Sequence, residues 1–316
     1  MRAFAVDAFG TPGSVRDLPL PEPEEGEIRV AVRAAGVNRM DPVYVGGMAK
    51  DWMEHRFPLV PGIDLAGVID EVGAGVSGRS VGDEVYGVAA KPFVGAGTFA
   101  EYVVVGSGSV GPKPRGLSFV EAAAVPHAAL TALGLVEAVD PQPTQTVVVI
   151  GACGGVGSHA TQLAAARGAV VIALTGPGGT DQARQLGASE VLDYTSDDIG
   201  TALSERHPDG IDALIATHAD EELIAAIARR MRAGGAVASS AMGGHGLAGA
   251  LADVGVSFAQ VNRLSPERLG DLTELFESGR LKPVPITTYP LEEAGDAVAA
   301  IADGHTRGKR VVVIWE

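Results

Sequence analysis

The residues with the most legible chemistry are the glycines of VVVIGACGGVGSHATQLAAARGAVVIALT, residues 147–175. An apolar run, a glycine-rich turn, a helix-spaced segment and a second apolar run form one βαβ unit. In that context the 154–157 turn (Gly154, Gly155, Val156, Gly157) has a defined use. Its glycines let the backbone bend tightly and approach a pyrophosphate, which then rests on the positive N-terminus of the following helix. The competing reading is a tight turn that needs glycine only to pack. Where a second strand ends, sites for NAD place an acid against the ribose hydroxyls. This chain reads Thr175-Gly176-Pro177-Gly178-Gly179 there. With no carboxylate to repel a 2′-phosphate, and with Thr175, Arg184 and Tyr194 as donors, NADPH is expected in preference to NADH. The alternative for Arg184 is a solvated helix charge.

These residues need elements to hold them. Segments 28–32, 65–72, 84–88 and 99–105 alternate β-rich runs with Gly, Pro and Asp clusters, which predicts a small antiparallel barrel-like domain. From about residue 118 the chain turns Ala-rich with helical spacing, interrupted at Pro126. Strands at 146–150, 170–174, 190–192, 212–216, 236–239 and 256–258 then alternate with helices at 158–167, 181–186 and 221–231, the pattern of a parallel sheet covered on both faces. A helix at 266–278 precedes a strand, a helix at 291–302 and a closing strand at 310–314 that return to the first domain. The expected fold class is α/β.

Composition narrows the partners. The chain has 316 residues, 46% of them apolar, and 24 basic against 39 acidic side chains give a net charge of −15. That charge repels phosphate backbones, so no nucleic-acid partner is expected. Cys153 is the one cysteine, which excludes an internal disulfide and any multi-cysteine metal lobe. The N-terminal residues MRAFAVDAFG meet Asp7 before a signal-length apolar run, and no stretch approaches the roughly 18 apolar residues of a spanning helix. A cytoplasmic protein without membrane partners is expected.

Seven motifs, the glycine turn among them, follow one another in order: GVNRMD (36–41), PLVPGIDLAGVIDEVGAGV (58–76), VGDEVYG (81–87), GTFAEYVVV (97–105), AAAVPHAALTAL (122–133), IGACGGVG (150–157) and LGASEVLDY (186–194). With GHTRGKRVVV (304–313) they resemble, over essentially the whole chain, the zinc-independent medium-chain dehydrogenase/reductase superfamily in its quinone oxidoreductase (zeta-crystallin-like) branch. The resemblance implies a GroES-like β-barrel catalytic domain from residues 1–118 with 283–316, and a Rossmann NADP-binding domain at 119–282. The substrate cleft would lie between them, and relatives pair as homodimers along the last Rossmann strand, here 254–258. Zinc-dependent relatives carry Cys where this chain has Asn38, and Gly-His-Glu where it has Gly62-Ile63-Asp64. No metal is expected.

A zinc-free site of this family would deliver hydride from the nicotinamide to a quinone or an α,β-unsaturated carbonyl. Asn38, Asp41 and Tyr44 are the candidate catalytic residues. An Asn amide can donate to a carbonyl oxygen, and a Tyr hydroxyl can donate a hydrogen bond or a proton. Their plainer roles are a strand-end Asn bonding the backbone, a turn Asp before Pro42 and a wall Tyr. The resemblance places Thr131, Ser240, Ala241, Met242 and Asn262 along the nicotinamide half of the cofactor, and Tyr194 in the adenosine-phosphate pocket. His127 stands where an aliphatic residue is common, and His218 lies in an altered loop, ALIATHADEEL (213–223). Either could be a proton donor or a packing residue. The main alternatives are an enoyl-thioester reductase of fatty-acid or polyketide assembly, and a non-reducing NADP(H)-binding cyclase or sensor.

Overall fold

Strand Glu27–Val37 buries nearly every residue from Ile28 onward, because it is hydrogen-bonded on both sides and backed by the main core of its unit. The computed structural model describes residues 1–218, 220–241, 247–261, 264–302 and 306–315. It divides into two compact units, Met1–Leu130 with Ser265–Glu316, and Thr131–Leu264.

The first unit is built from β1 (Arg2–Ala5), β2 (Ser14–Asp17), β3 (Glu27–Val37), α1 (Met40–Val45), β4 (Glu54–Val60), β5 (Asp64–Val72), β6 (Glu84–Val88), β7 (Phe93–Ala96), β8 (Tyr102–Gly106), β9 (Val110–Pro112) and α2 (Phe119–Ala123). Helix α3 (Pro126–Val139) carries the chain across the division. Ser118 and Glu121 form a reciprocal capping box at the start of α2, and Pro126 opens α3, so the Ala-rich stretch breaks at the expected proline.

The second unit holds β10 (Thr146–Ile150), α4 (Gly155–Ala166), β11 (Val170–Thr175), α5 (Thr180–Gln185), β12 (Glu190–Asp193), α6 (Ile199–Arg206), β13 (Ile211–Ala216), α7 (Glu221–Ala228), β14 (Met231–Ser239), α8 (Leu247–Ala252) and β15 (Ser257–Gln260). All six strands run parallel in the order β12-β11-β10-β13-β14-β15. The sheet therefore reverses its direction of growth between β10 and β13, and this is where doubly wound sheets open a ligand crevice. Strands β12 and β15 are its edges.

The chain returns to the first unit through α9 (Leu269–Glu277), β16 (Ile286–Pro290), α10 (Ala294–Ala302) and β17 (Lys309–Val313). Strand β17 pairs antiparallel with β3 and joins a seven-stranded sheet, so the last strand does come home to the barrel-like unit.

Two boundaries differ from expectation. Residues 119–130 and 265–282 pack with the first unit rather than the second: the Tyr86 hydroxyl donates to the Leu269 carbonyl at 2.8 Å, and Thr273 Oγ1 donates to Pro112 at 3.0 Å. The helix expected over 221–231 stops at Ala228, because Arg230 and Met231 are taken up by pairing with Ile211. Among the described residues no helix is long and apolar enough to cross a membrane.

Candidate functional site

The glycine turn follows β10 directly. The Gly151 and Ala152 amides donate to the Leu174 carbonyl and so tie the turn to β11, while Gln182 Nε2 donates to the Cys153 carbonyl and ties it to α5. Gly154 is the N-cap of α4, and Gly155, Val156 and Gly157 form its first turn. First-turn amides have no acceptor within their own helix, and among the described residues those three find none elsewhere. Three N–H groups and the positive end of a three-turn helix thus converge on the crevice side of the sheet. A Cβ on Gly157 would lie 2.1 Å from the Gly151 carbonyl oxygen, so only glycine lets the helix start this close to the turn. These features fit a dinucleotide pyrophosphate.

At the end of β11, Thr175 is buried, and Tyr194 has its phenol oxygen against Gly176, 2.9 Å from where a Cβ would stand. The Tyr194 amide donates to the Thr175 carbonyl, so Thr175, Gly176 and Tyr194 form one group. Arg184 is exposed on the last turn of α5, with no ion pair among the described residues. The register of β11 and β12 also sets Asp193 beside Thr175, which the sequence reading missed. Its carboxylate is committed to the Thr195 amide and hydroxyl at 2.9 and 2.7 Å.

Farther along the sheet edge, Thr217 Oγ1 donates to the Ile150 carbonyl at 2.8 Å and locks β13 to β10 at the point where strand order reverses. Ser240 donates its amide to Ala216, and Ala241 donates its own to the Ser239 hydroxyl. Gln260, another residue missed in the sequence, spans the Ser239 and Ala241 carbonyls at 3.0 Å each. Thr131 is buried on α3. His218 is exposed; Met242 and Asn262 lie outside the described residues.

In the first unit, four buried polar side chains meet from three distant stretches: Asn38, Asp41, Asp64 and Lys309. The Asn38 amide nitrogen Nδ2 donates to Asp64 Oδ2 at 3.0 Å and to the Gly36 carbonyl at 3.4 Å, and its Oδ1 accepts from Lys309 Nζ at 2.7 Å. Asp41 accepts from the Asn38 main-chain amide at 2.6 Å and from that of Gly62 at 3.1 Å. Gly62 holds φ +101°, a conformation that an L side chain rarely adopts. Burial, helped by the Asp64 charge, pushes the Asp41 carboxyl up to about 7, against the pull of the two amides and of Lys309.

Asp64 Oδ1 accepts the main-chain amide of His127, the second residue of α3. Burial lowers the pKa of the His127 imidazole, with Asp64 opposing and Lys309 reinforcing the shift, so the neutral ring prevails at neutral pH. Tyr44 is different. It is half-buried on α1, its ring edge-on to His55 at 6.3 Å, and its hydroxyl makes no hydrogen bond among the described residues. Burial and the Asp41 charge raise its pKa, which keeps the phenol protonated.

Residues 24–115 match the alcohol dehydrogenase GroES-like domain family, and residues 186–312 match a family described as zinc-binding dehydrogenase. A chloroplast envelope quinone oxidoreductase homolog of Arabidopsis thaliana is 31% identical over 309 residues, covering 93% of this chain and 92% of the relative. A 2-methylene-furan-3-one reductase of Solanum lycopersicum is also 31% identical, covering 99% of this chain and 79% of its own length. Among solved structures, an NAD-dependent alcohol dehydrogenase superposes with a TM-score of 0.89 at 30% identity, covering 99% of this chain and all of that one. The chain belongs to the medium-chain dehydrogenase/reductase superfamily, in its quinone oxidoreductase branch, and so to the nicotinamide-nucleotide oxidoreductases.

One family description raises zinc, and the residues at hand do not fit it. A structural or catalytic zinc takes thiolate, imidazole or carboxylate lone pairs. At the positions that the resemblance equates with the Cys and the His of zinc-dependent relatives stand Asn38, whose oxygen accepts from Lys309 Nζ at 2.7 Å, and Ile63, whose side chain has no lone pair.

Proposed function

We propose that the chain is an NADPH-dependent reductase that transfers hydride, without a metal, to a quinone or an α,β-unsaturated carbonyl. The observation that carries this reading is the glycine turn at the strand-order reversal, with its three unpaired first-turn amides and no room for a Cβ at Gly157. Bound there, NADPH supplies a hydride from its nicotinamide ring. Gly155, Val156 and Gly157 hold the pyrophosphate, and Thr175, Gly176, Tyr194 and Arg184 receive the 2′-phosphate. Thr131, Ser240, Ala241, Met242 and Asn262 complete the nicotinamide half. Reduction of such an acceptor puts negative charge on its oxygen. Tyr44, with a protonated and uncommitted hydroxyl, donates to that oxygen. Asn38 and Asp41, both engaged inside the protein, fix the backbone from which Tyr44 projects. The names of the Arabidopsis and tomato relatives support quinones and enones as acceptors.

The test is loss of NADPH absorbance, with NADH run in parallel, against a benzoquinone, a naphthoquinone, an enone and a crotonyl thioester. Preference for the thioester would favour the enoyl-thioester reading. Tight NADPH binding with no turnover would favour the non-reducing cyclase or sensor.

Two substitutions extend the test. Tyr44→Phe is expected to lower kcat by about 10- to 100-fold, the lower range for loss of a positioned proton donor, with the Kd for NADPH unchanged. A kcat within twofold of wild type would remove Tyr44 from the chemistry. Arg184→Ala is expected to lower the NADPH-over-NADH preference by about tenfold, roughly 1.4 kcal/mol, through KM for NADPH. An unaltered ratio would return Arg184 to the solvent.

A further inference from the structure

The two nicotinamide coenzymes differ at one place, the 2′ position of the adenosine ribose. A carboxylate there accepts from the ribose hydroxyls of NADH and repels the 2′-phosphate of NADPH. The chain has no acid between Thr175 and Thr180, yet the fold brings one in from the neighbouring strand. Asp193 ends β12, Thr175 ends β11, and the two are register partners in the parallel pair. Register partners point to the same face of a sheet. The Asp193 side chain therefore projects from the face that carries Thr175, at the carboxyl ends of the strands, where doubly wound sheets bind their ligands.

What this carboxylate does there depends on its partner. Asp193 Oδ1 accepts both the amide and the hydroxyl of Thr195, at 2.9 and 2.7 Å, which turns it toward the turn that follows its own strand. The other two acids of that turn are committed as well: Asp197 Oδ2 accepts the Asp193 amide at 2.8 Å, and Asp198 caps α6 through Thr201. Arg184, on the last turn of α5, has no ion pair among the described residues. Because Thr195 and not Arg184 satisfies Asp193, the guanidinium is left to a phosphate.

We propose that Thr195 is a specificity-determining residue that acts through Asp193: by holding the carboxylate it keeps the ribose 2′ position open to a phosphate. The inference deepens the reading of the chain as an NADPH enzyme and rests on it. Thr195 is a positioning residue, since it reaches the coenzyme only through Asp193. With its hydroxyl gone, Oδ1 keeps the Thr195 amide alone, and the carboxylate is free to rotate toward Thr175. A negative charge on that side opposes the 2′-phosphate, offsets part of the Arg184 charge and offers an acceptor to a ribose hydroxyl, so NADP+ loses affinity relative to NAD+.

The experiment is a double-mutant cycle on the full chain with Thr195→Val, Asp193→Asn and the pair combined, read as the Kd for NADP+ and for NAD+ by calorimetric titration with no acceptor present. Thr195 is exposed, and valine keeps both its size and its main-chain amide. Thr195→Val is expected to raise the Kd for NADP+ by about tenfold, the scale of one charge contact in a partly solvated site, with the Kd for NAD+ unchanged or lower. Asp193→Asn keeps the shape and carries no charge to release, so it is expected to bind NADP+ at least as tightly as wild type. In the Asp193→Asn background Thr195→Val is expected to change the Kd for NADP+ by less than twofold, because its effect runs through the missing charge. Melting curves of the four proteins accompany the titrations, since a loss of fold weakens both coenzymes alike and leaves their ratio unchanged. A wild type that prefers NADP+, with Thr195→Val keeping the ratio of the two Kd values within twofold, overturns the inference and leaves the NADPH reading standing. An equal loss of NADP+ affinity from Thr195→Val with and without the Asp193 carboxylate also overturns it, for Thr195 would then act directly. A wild type that binds neither coenzyme, or binds NAD+ the more tightly, overturns the NADPH reading and this inference with it.

Discussion

Gly157→Ala is expected to raise the Kd for NADPH by about a hundredfold, roughly 2.8 kcal/mol. The added methyl would stand 2.1 Å from the Gly151 carbonyl oxygen, 2.7 Å from its carbon and 2.9 Å from Ala152 Cα, all of them backbone atoms with no rotamer to adopt. Either α4 moves outward or the turn opens, and both withdraw the Gly155, Val156 and Gly157 amides from a shared focus. Position matters steeply for such donors, because hydrogen bonds to a charged oxygen weaken sharply with distance and angle. Gly249→Ala is the matched control, since among the described residues a Cβ there meets nothing within 4 Å, and it is expected to bind NADPH as wild type does. Fluorescence or calorimetric titration of both variants, beside their melting curves, checks the comparison. Binding by Gly157→Ala within threefold of wild type would show that the turn does not hold the pyrophosphate.

Asp41→Asn is expected to change how stability depends on pH. The folded protein raises the Asp41 carboxyl from 3.8 to about 7. Between those values the native state keeps a proton that the unfolded chain has released, so with respect to this group stability falls as pH rises through the window and is level above it. Removing the carboxyl removes that slope. The stability of Asp41→Asn relative to wild type should therefore rise between about pH 4 and pH 7, by on the order of 4 kcal/mol in total. A constant offset acts the other way. The new amide can accept from only one of the two main-chain donors, Asn38 or Gly62, and sets its own NH2 against the other. Carboxylates with lowered pKa values, Glu190 and Glu277 among them, give the wild-type curve an opposite slope, and this cancels in the difference. Urea unfolding of both proteins from pH 4.5 to 8 measures it. A difference that stays flat over that range would show Asp41 to be ionised throughout.

The two sites differ in how far they could be read from the residues. The glycine turn, its strands and its helix lie within 147–175, and the structure places β10, α4 and β11 there with ends shifted by at most a few residues. That locality is why spacing alone predicted it. Asn38, Asp41 and Tyr44 were legible only as residue types. Their partners at 64 and 309 gave no local signal; of the two readings of Asn38, an outward donor and a strand-end amide bonding the backbone, the second matches its bond to the Gly36 carbonyl, and neither anticipated its bonds to Asp64 and Lys309. Asp193 was hidden for a similar reason, since only the parallel register of β11 and β12 sets it beside Thr175.

Short-range patterning determined the α/β class, the parallel sheet, the glycine-rich turn and the break of the Ala-rich stretch at Pro126. Each is a property of a window of some 30 residues or fewer, in which hydrophobic period and backbone freedom act without knowledge of the rest of the chain. The pairing of β17 with β3 decided what those windows could not contain: which charge compensates Asp64 and which way the Asn38 amide faces. A buried charge is stable only with its partner, and that partner was supplied from the far end of the chain, where burial and sheet register made a counter-ion of a lysine that in sequence is one cation among 24 basic residues.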